Sequence, residues 1–231
     1  MIPKTYAAIS WEQPGIPKSI AFNDIYFSQS GGIEETMYVF IKGNNLPDRW
    51  LHSPSFTIIE TGFGTGLNFL CTYALWQQTK PIGARLHYIS IEKYPMNKDD
   101  LVAVYSRFPS LQHYAEMLLS YYPCEHMIFD DGDLVVDLLF ADVEEALASL
   151  LQEKADAWFL DGFAPSKNPA MWSEKVLNGV WEHTKDGGTV ATYTCAKLVR
   201  TGLEQAGFQV SKIPGCGMKK HILVANKPFI K

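Results

Sequence analysis

The chain of 231 residues is 47 % hydrophobic and 19 % charged, which supplies a sizeable core and excludes global disorder; one main domain with an appendage is expected. It contains neither a run of roughly 20 apolar residues nor the apolar stretch of a signal peptide, so a cytoplasmic address is expected. The net charge of −5 divides unevenly, with 10 basic against 20 acidic side chains in residues 1–160 and 10 against 5 in residues 161–231. Either a basic face lies beside the C-terminal half of a sheet, or this is ordinary surface charge.

Residues 1–55 read as a small β appendage, because SIAFNDIYFS and ETMYVFIKG alternate apolar and polar residues around Gly31-Gly32. The boundary is placed near Leu51 to Ser55, and 56–231 form the main domain. There, short apolar runs alternate with amphipathic stretches. Strands are expected at Phe56 to Glu60 and Leu86 to Glu92, with helices at Leu67 to Gln78, Lys98 to Arg107 and Leu111 to Tyr121. The run HMIFDDGDLVVDLLFAD predicts a hairpin turning at Asp131-Gly132, whose second arm joins the main sheet. Then follow a helix at Val143 to Gln152, a strand at Ala157 to Leu160 and a helix near Ser173 to His183. A strand at Thr189 to Thr194 and a helix near Ala196 to Ala206 come next. Strands near Phe208 to Lys212 and His221 to Ala225 close the chain as an antiparallel edge hairpin. This rhythm argues for a mostly parallel α/β sheet covered on both faces.

Cys71, Cys124, Cys195 and Cys216 stand far apart with no C-x-x-C pair. Neither zinc nor a disulfide framework is expected, and the thiols read as buried and free.

The segment ETGFGTGLN, Glu60 to Asn68, follows a strand and opens a helix. Gly62, Gly64 and Gly66 permit a tight turn that lets a ligand lie against backbone N–H groups at a helix start. A dinucleotide fingerprint needs a further glycine where Leu67 stands, and no Gly-Lys-Ser/Thr follows, so NAD, FAD and P-loop readings are disfavoured. Glu92, ending the next strand, can accept both hydroxyls of a ribose. Together these features resemble the S-adenosylmethionine site of a class I methyltransferase. Asp142 either accepts from the adenine amino group or caps the helix beginning at Val143, with Glu145 completing a capping box. Asp161 ends an apolar strand in DAWFLDGFAPSKNPAMWS and projects beside the same crevice.

ETGFGTGLNFL, DAWFLDGFAPSKNP, FNDIYFS with GGIEETMYVFIKGNNL, and Gly217-Met218-Lys219-Lys220-His221 together resemble the methyltransferase module of the MnmC family. The resemblance implies a Rossmann-like class I methyltransferase with a mostly parallel seven-stranded sheet. Its methyl donor would be S-adenosyl-L-methionine, held by Glu60, Gly62, Phe63, Gly64, Thr65, Gly66, Asn68, Glu92, Lys93, Asp142 and Asp161. Its substrate would be the wobble uridine in a tRNA anticodon stem-loop, where the nitrogen of 5-aminomethyl-2-thiouridine gains a methyl group. Bifunctional members add an FAD-dependent oxidase. That module is expected to be absent from a chain ending at Lys231, leaving a separate oxidase or upstream enzyme as a partner. An Arg-rich end is expected in the family where this chain has Met218-Lys219-Lys220-His221.

An amine attacks a sulfonium methyl only through a free lone pair, so Asp161 is expected either to take its proton or to orient its N–H. Phe163 offers a stacking surface for a splayed base. Lys167 and Asn168 are substrate-side candidates, and Lys197, Arg200, Lys219 and Lys220 are placed to meet phosphates. Two other readings fit the same residues: a methyltransferase for a small amine or a DNA base, and a silent cofactor-binding module.

Overall fold

A computed structural model describes residues 5–13, 15–28, 31–217 and 219–229. Met218 and Lys231, named in the sequence reading, lie outside the described residues, as do the first four positions.

The chain opens with three short strands, β1 (Ile9–Gln13), β2 (Ile16–Ser19) and β3 (Asp24–Ile25), forming a separate antiparallel sheet. Only this half of the N-terminal segment is β. ETMYVFIKG, expected as a strand, is helical: α1 (Gly32–Thr36) runs on through a wide turn at Met37–Ile41 and a tight one at Lys42–Asn44. The burial pattern explains the difference. Thr36, Val39, Phe40 and Asn44 are enclosed, the spacing of one helical face, and a short apolar run fits both periods until packing decides between them.

This helical stretch is built into the core. Phe40 packs on Phe159 with ring centres 5.4 Å apart, and Asn44 Nδ2 donates to the Trp158 carbonyl at 3.1 Å. Trp50 is fully enclosed, edge-on to Trp76 at 5.3 Å, and its indole N–H donates to Thr79. Trp50→Ala is therefore expected to cost about 3–5 kcal/mol, read as an earlier midpoint in urea unfolding. A loss under about 1 kcal/mol would show the segment to be a loosely attached appendage.

The main sheet comprises β4 (Ser55–Thr61), β5 (Arg85–Ile91), β6 (His126–Phe129), β7 (Leu134–Leu139), β8 (Ala155–Leu160), β9 (Thr184–Thr192), β10 (Gln209–Pro214) and β11 (His221–Asn226). Their order is β10-β11-β9-β8-β4-β5-β7-β6. The five strands from β9 to β7 are parallel, and antiparallel partners finish both edges. The expected count of seven becomes eight because both arms of the 126–139 hairpin join. β6 pairs His126 with Asp137 and Phe129 with Leu134, burying Met127 and Phe129 while Ile128 stays exposed.

Neighbouring residues of a strand serve opposite faces. Ile58, Tyr88, Val136 and Phe159 face a cluster with α2 (Leu67–Thr79), α3 (Lys98–Tyr105), α4 (Gln112–Tyr121) and the N-terminal helical stretch. Ile59, Ile89, Trp158 and Val190 face α5 (Val143–Ser149), α6 (Glu174–Glu182) and α7 (Lys197–Ala206). All four cysteines are free, but only Cys71 is buried. Cys124 is exposed because it sits in the turn after α4, where its N–H meets the Tyr121 carbonyl. Among the described residues, no helix is long and apolar enough to cross a membrane.

Candidate active site

From β4 the chain winds outward through β5 to β7, then returns to lay β8 on the other side of β4. The reversal opens a crevice at the carboxyl ends of β4 and β8, where open α/β sheets take their ligands. Two turns meet there. After β4, Gly62, Gly64 and Gly66 all have positive φ (74°, 56° and 71°), a conformation costly for any residue with a Cβ. After β8, Asp161 leads into Gly162, and the turns touch: a Cβ on Gly62 would lie 3.1 Å from Gly162 Cα. The Thr61 hydroxyl donates to the Asp161 carbonyl at 2.7 Å, fixing one turn to the other.

The carboxylates divide into two kinds. Glu60 is fully enclosed; its oxygens accept from Ser90 Oγ at 2.6 Å and Asn68 Nδ2 at 2.9 Å. Burial pushes its carboxyl up to about 8 against the pull of those bonds. Asn68, on the first turn of α2, gives its other N–H to Asp161 Oδ2 at 2.9 Å and accepts from the Thr36 hydroxyl at 2.7 Å. Asp161 Oδ1 accepts from Gly162 N–H at 2.8 Å. Burial lifts Asp161 to about 6, opposed by the Gly162 and Asn68 bonds and by the charge of Lys219. Glu60, Asn68 and Asp161 are thus one network, in which Glu60 and Asn68 are buried and Asp161 is half-buried.

Glu92, just beyond β5, accepts from Gly64 N–H and Tyr94 N–H, each at 2.8 Å. Burial raises its pKa while these bonds lower it, and the balance is upward. One bond to each oxygen leaves lone pairs for two further donors. Asp142 caps α5 by accepting from Glu144 N–H at 3.0 Å and pairs with Lys93 at 3.1 Å. Burial acts to raise its pKa, but the Glu144 bond and Lys93 outweigh it. Phe63 and Thr65 are buried; the Phe63 ring underlies Gly66, where a Cβ would come within 2.6 Å of it, and only their backbone borders the turn.

The N-terminal sheet reaches across this crevice. Phe163 stacks on Phe22 at 4.9 Å and meets Tyr26 edge-on at 5.0 Å, while Asp24 accepts from Ala164 N–H at 3.0 Å. The Phe163 ring is therefore engaged on the protein side. Lys167 and Asn168 form a turn on the Ala164 carbonyl. Lys167, Lys197, Arg200 and Lys220 are exposed and, among the described residues, stand outside the Asn68 network. Lys219 instead turns inward to Glu35 and the Tyr193 ring. Glu35, Thr36, Tyr193, Asp24, Phe22 and Tyr26 are site neighbours that sequence reasoning missed. For Glu35 and Thr36 the available signal was the helical spacing of Thr36, Val39, Phe40 and Asn44.

A family model described as S-adenosyl-L-methionine-dependent methyltransferase matches residues 109–228. The chain belongs to that family. S-Adenosyl-L-methionine is accordingly its methyl donor, and the glycine cradle and two-acceptor Glu92 carboxylate suit a nucleoside with a charged tail. The methyltransferase is 42 % identical, over 96 % of its length, to the tRNA 5-methylaminomethyl-2-thiouridine biosynthesis bifunctional protein MnmC of Legionella pneumophila (strain Corby). It is 43 % identical, again over 96 %, to the protein of that name from Methylobacillus flagellatus. It spans only 37 % and 35 % of those relatives. The crystal structure of MNMC2 from Aquifex aeolicus covers the whole methyltransferase chain with 74 % of its own, at a TM-score of 0.78 and 24 % identity, a match of fold.

Proposed function

We propose that this methyltransferase adds one methyl group to the nitrogen of 5-aminomethyl-(2-thio)uridine at the wobble position of tRNA, giving 5-methylaminomethyl-(2-thio)uridine. The observation that carries this reading is Asp161: a half-buried residue whose carboxylate is fixed by Asn68 and Gly162 N–H at the carboxyl end of β8 beside the glycine turn. Relatives matching nearly the whole chain are named for the same modified nucleoside.

In this reading the backbone of Gly62, Gly64 and Gly66 and the start of α2 hold the cofactor, with Glu92 on its ribose and the Asp142–Lys93 pair beside its base. Glu60 and Asn68 act through position, by locking Asp161. The bound cofactor supplies an electrophilic methyl on a sulfonium. Asp161 Oδ2 or Oδ1 accepts an N–H of the incoming ammonium and takes its proton, and the freed lone pair is then aligned for in-line attack. Lys167, Lys197, Arg200 and Lys220 form the basic approach to the anticodon stem-loop, and the outer side of Phe163 borders the splayed base. A separate enzyme would supply the aminomethyl form.

The test is incubation with labelled cofactor and tRNA carrying the aminomethyl group, followed by digestion and nucleoside separation. Label on the aminomethyl nitrogen is expected; label on a ring atom, on ribose or only on free amines overturns the assignment. Because the binding face is basic, tRNA affinity is also expected to fall with salt, by a slope of about −0.7 per neutralised phosphate of single-stranded character. A small-amine enzyme would show almost none.

A further inference from the structure

Beside Asp161 lies a second charged group that the reaction as described leaves unused. The Lys219 ammonium, from the turn between β10 and β11, is bonded to the Glu35 carboxylate and stands 3.9 Å from the centre of the Tyr193 ring. The Tyr193 hydroxyl donates to the Gly162 carbonyl at 2.8 Å, so the ring is anchored to the residue after Asp161. Glu35 precedes Thr36, whose hydroxyl holds Asn68 and through it Asp161. Tyr38 binds the helical stretch to the same hairpin through the Pro214 carbonyl at 3.0 Å. The charges of both Glu35 and Lys219 reach Asp161.

A carboxylate with only 16 % of its side chain exposed needs a cation against it, and an aromatic face adds cation–π attraction for an ammonium. The end of a lysine side chain is a methylene carrying a primary ammonium. That is the chemical group an aminomethyl substrate presents, and the α-ammonium of the cofactor is of the same class.

We propose that Glu35 and the Tyr193 ring form a receptor for a primary alkylammonium beside Asp161, and that Lys219 fills it in this structure as an internal surrogate. An incoming ammonium displaces the Lys219 side chain, which moves its charge outward to where a phosphate can meet it. The proposal rests on the aminomethyl reading above and adds how the amine is recognised: Glu35 and Tyr193 bind it, and Asp161 deprotonates it.

Calorimetry with the free nucleosides 5-aminomethyluridine and uridine, in the presence of S-adenosyl-L-homocysteine, tests it. The parent is expected to bind the aminomethyl nucleoside at least tenfold more tightly than uridine. Glu35→Gln and Tyr193→Leu should erase that preference and Tyr193→Phe should keep it, while Lys219→Met, removing the competitor, should strengthen it several-fold. If the preference is absent but Glu35→Gln weakens cofactor binding tenfold or more, the receptor serves the cofactor's α-ammonium. Variants that match the parent in both affinities overturn the proposal. Should Glu35→Gln or Tyr193→Leu fail to fold, Lys219→Met decides, since a merely structural ion pair predicts lower thermal stability and no gain in affinity. Parent activity on aminomethyl tRNA is measured alongside. Activity with unresponsive variants sinks the receptor alone; inactivity on tRNA with responsive binding sinks the tRNA reading alone.

Discussion

Asp161→Asn is expected to lower methyl transfer by about 10² or more, the scale of a lost acid–base group, with cofactor affinity largely unchanged. The amide preserves the shape and, through its one oxygen, a single one of the two acceptor contacts, to Asn68 or to Gly162 N–H, and it cannot take a proton. Turnover is also expected to depend on pH in a particular direction. With Asp161 raised to about 6 by burial, its basic form is lost as pH falls through 6, so the parent should lose about tenfold per pH unit below that. An ammonium substrate adds a limb on the same side, and the diagnostic is therefore the part of the profile missing from the variant. Equal turnover by both proteins, under conditions where chemistry limits the rate, would make Asp161 a structural residue.

The same shift bears on stability. Since the folded-state pKa of Asp161 lies above the ordinary value of 3.8, the native state binds more protons between the two. Stability from this group is present below about pH 4 and is lost as pH rises through about 6. The Asn variant is relieved of the buried charge at the loss of one acceptor bond, so its stability relative to the parent should improve as pH rises through about 6.

Glu92→Ala should weaken cofactor binding at least tenfold, because each hydrogen bond to a charged acceptor contributes roughly 1.5–3 kcal/mol. It also strips Gly64 and Tyr94 of their acceptor, so part of the loss comes through a loosened glycine turn. Glu92→Gln separates the two effects: one amide oxygen still holds a backbone N–H, while the pair of acceptors proposed for the ribose is broken. Unchanged affinity in calorimetry on folded Glu92→Ala protein would remove Glu92 from the cofactor site.

What could be read in advance follows the range of the forces involved. The parallel sheet was legible because FTIIE, LHYISIE and AWFL are short apolar runs between Gly, Pro and polar punctuation, and that signal is local. The glycine turn and Asp161 were legible for the same reason, each lying at the end of such a run. The helix at Gly32–Thr36 and its continuation were not, because MYVFI satisfies either period and only packing against Phe159 and Trp158 selects one. Nor was the inward turn of Glu60 and Phe63, since neither motif nor spacing distinguishes a side chain that faces a ligand from one beneath the loop. Glu35 and Tyr193 reach the site solely through tertiary contacts with residues far along the chain.

That distance has a consequence for how the protein comes to be active. Glu35 and Lys219 are separated by 184 positions, and Thr36 and Asn68 by 32, so the two sides of one reaction centre close loops of very different length. Contacts of high sequence separation form late, because the chain entropy of closure is lost before they stabilise anything. During synthesis, the glycine turn, Asn68 and Glu92 are all made before β8, whereas Lys219 must wait for the β10–β11 hairpin. A growing chain thus carries the glycine turn before the β8 turn that meets it, and the Lys219 contact only after both.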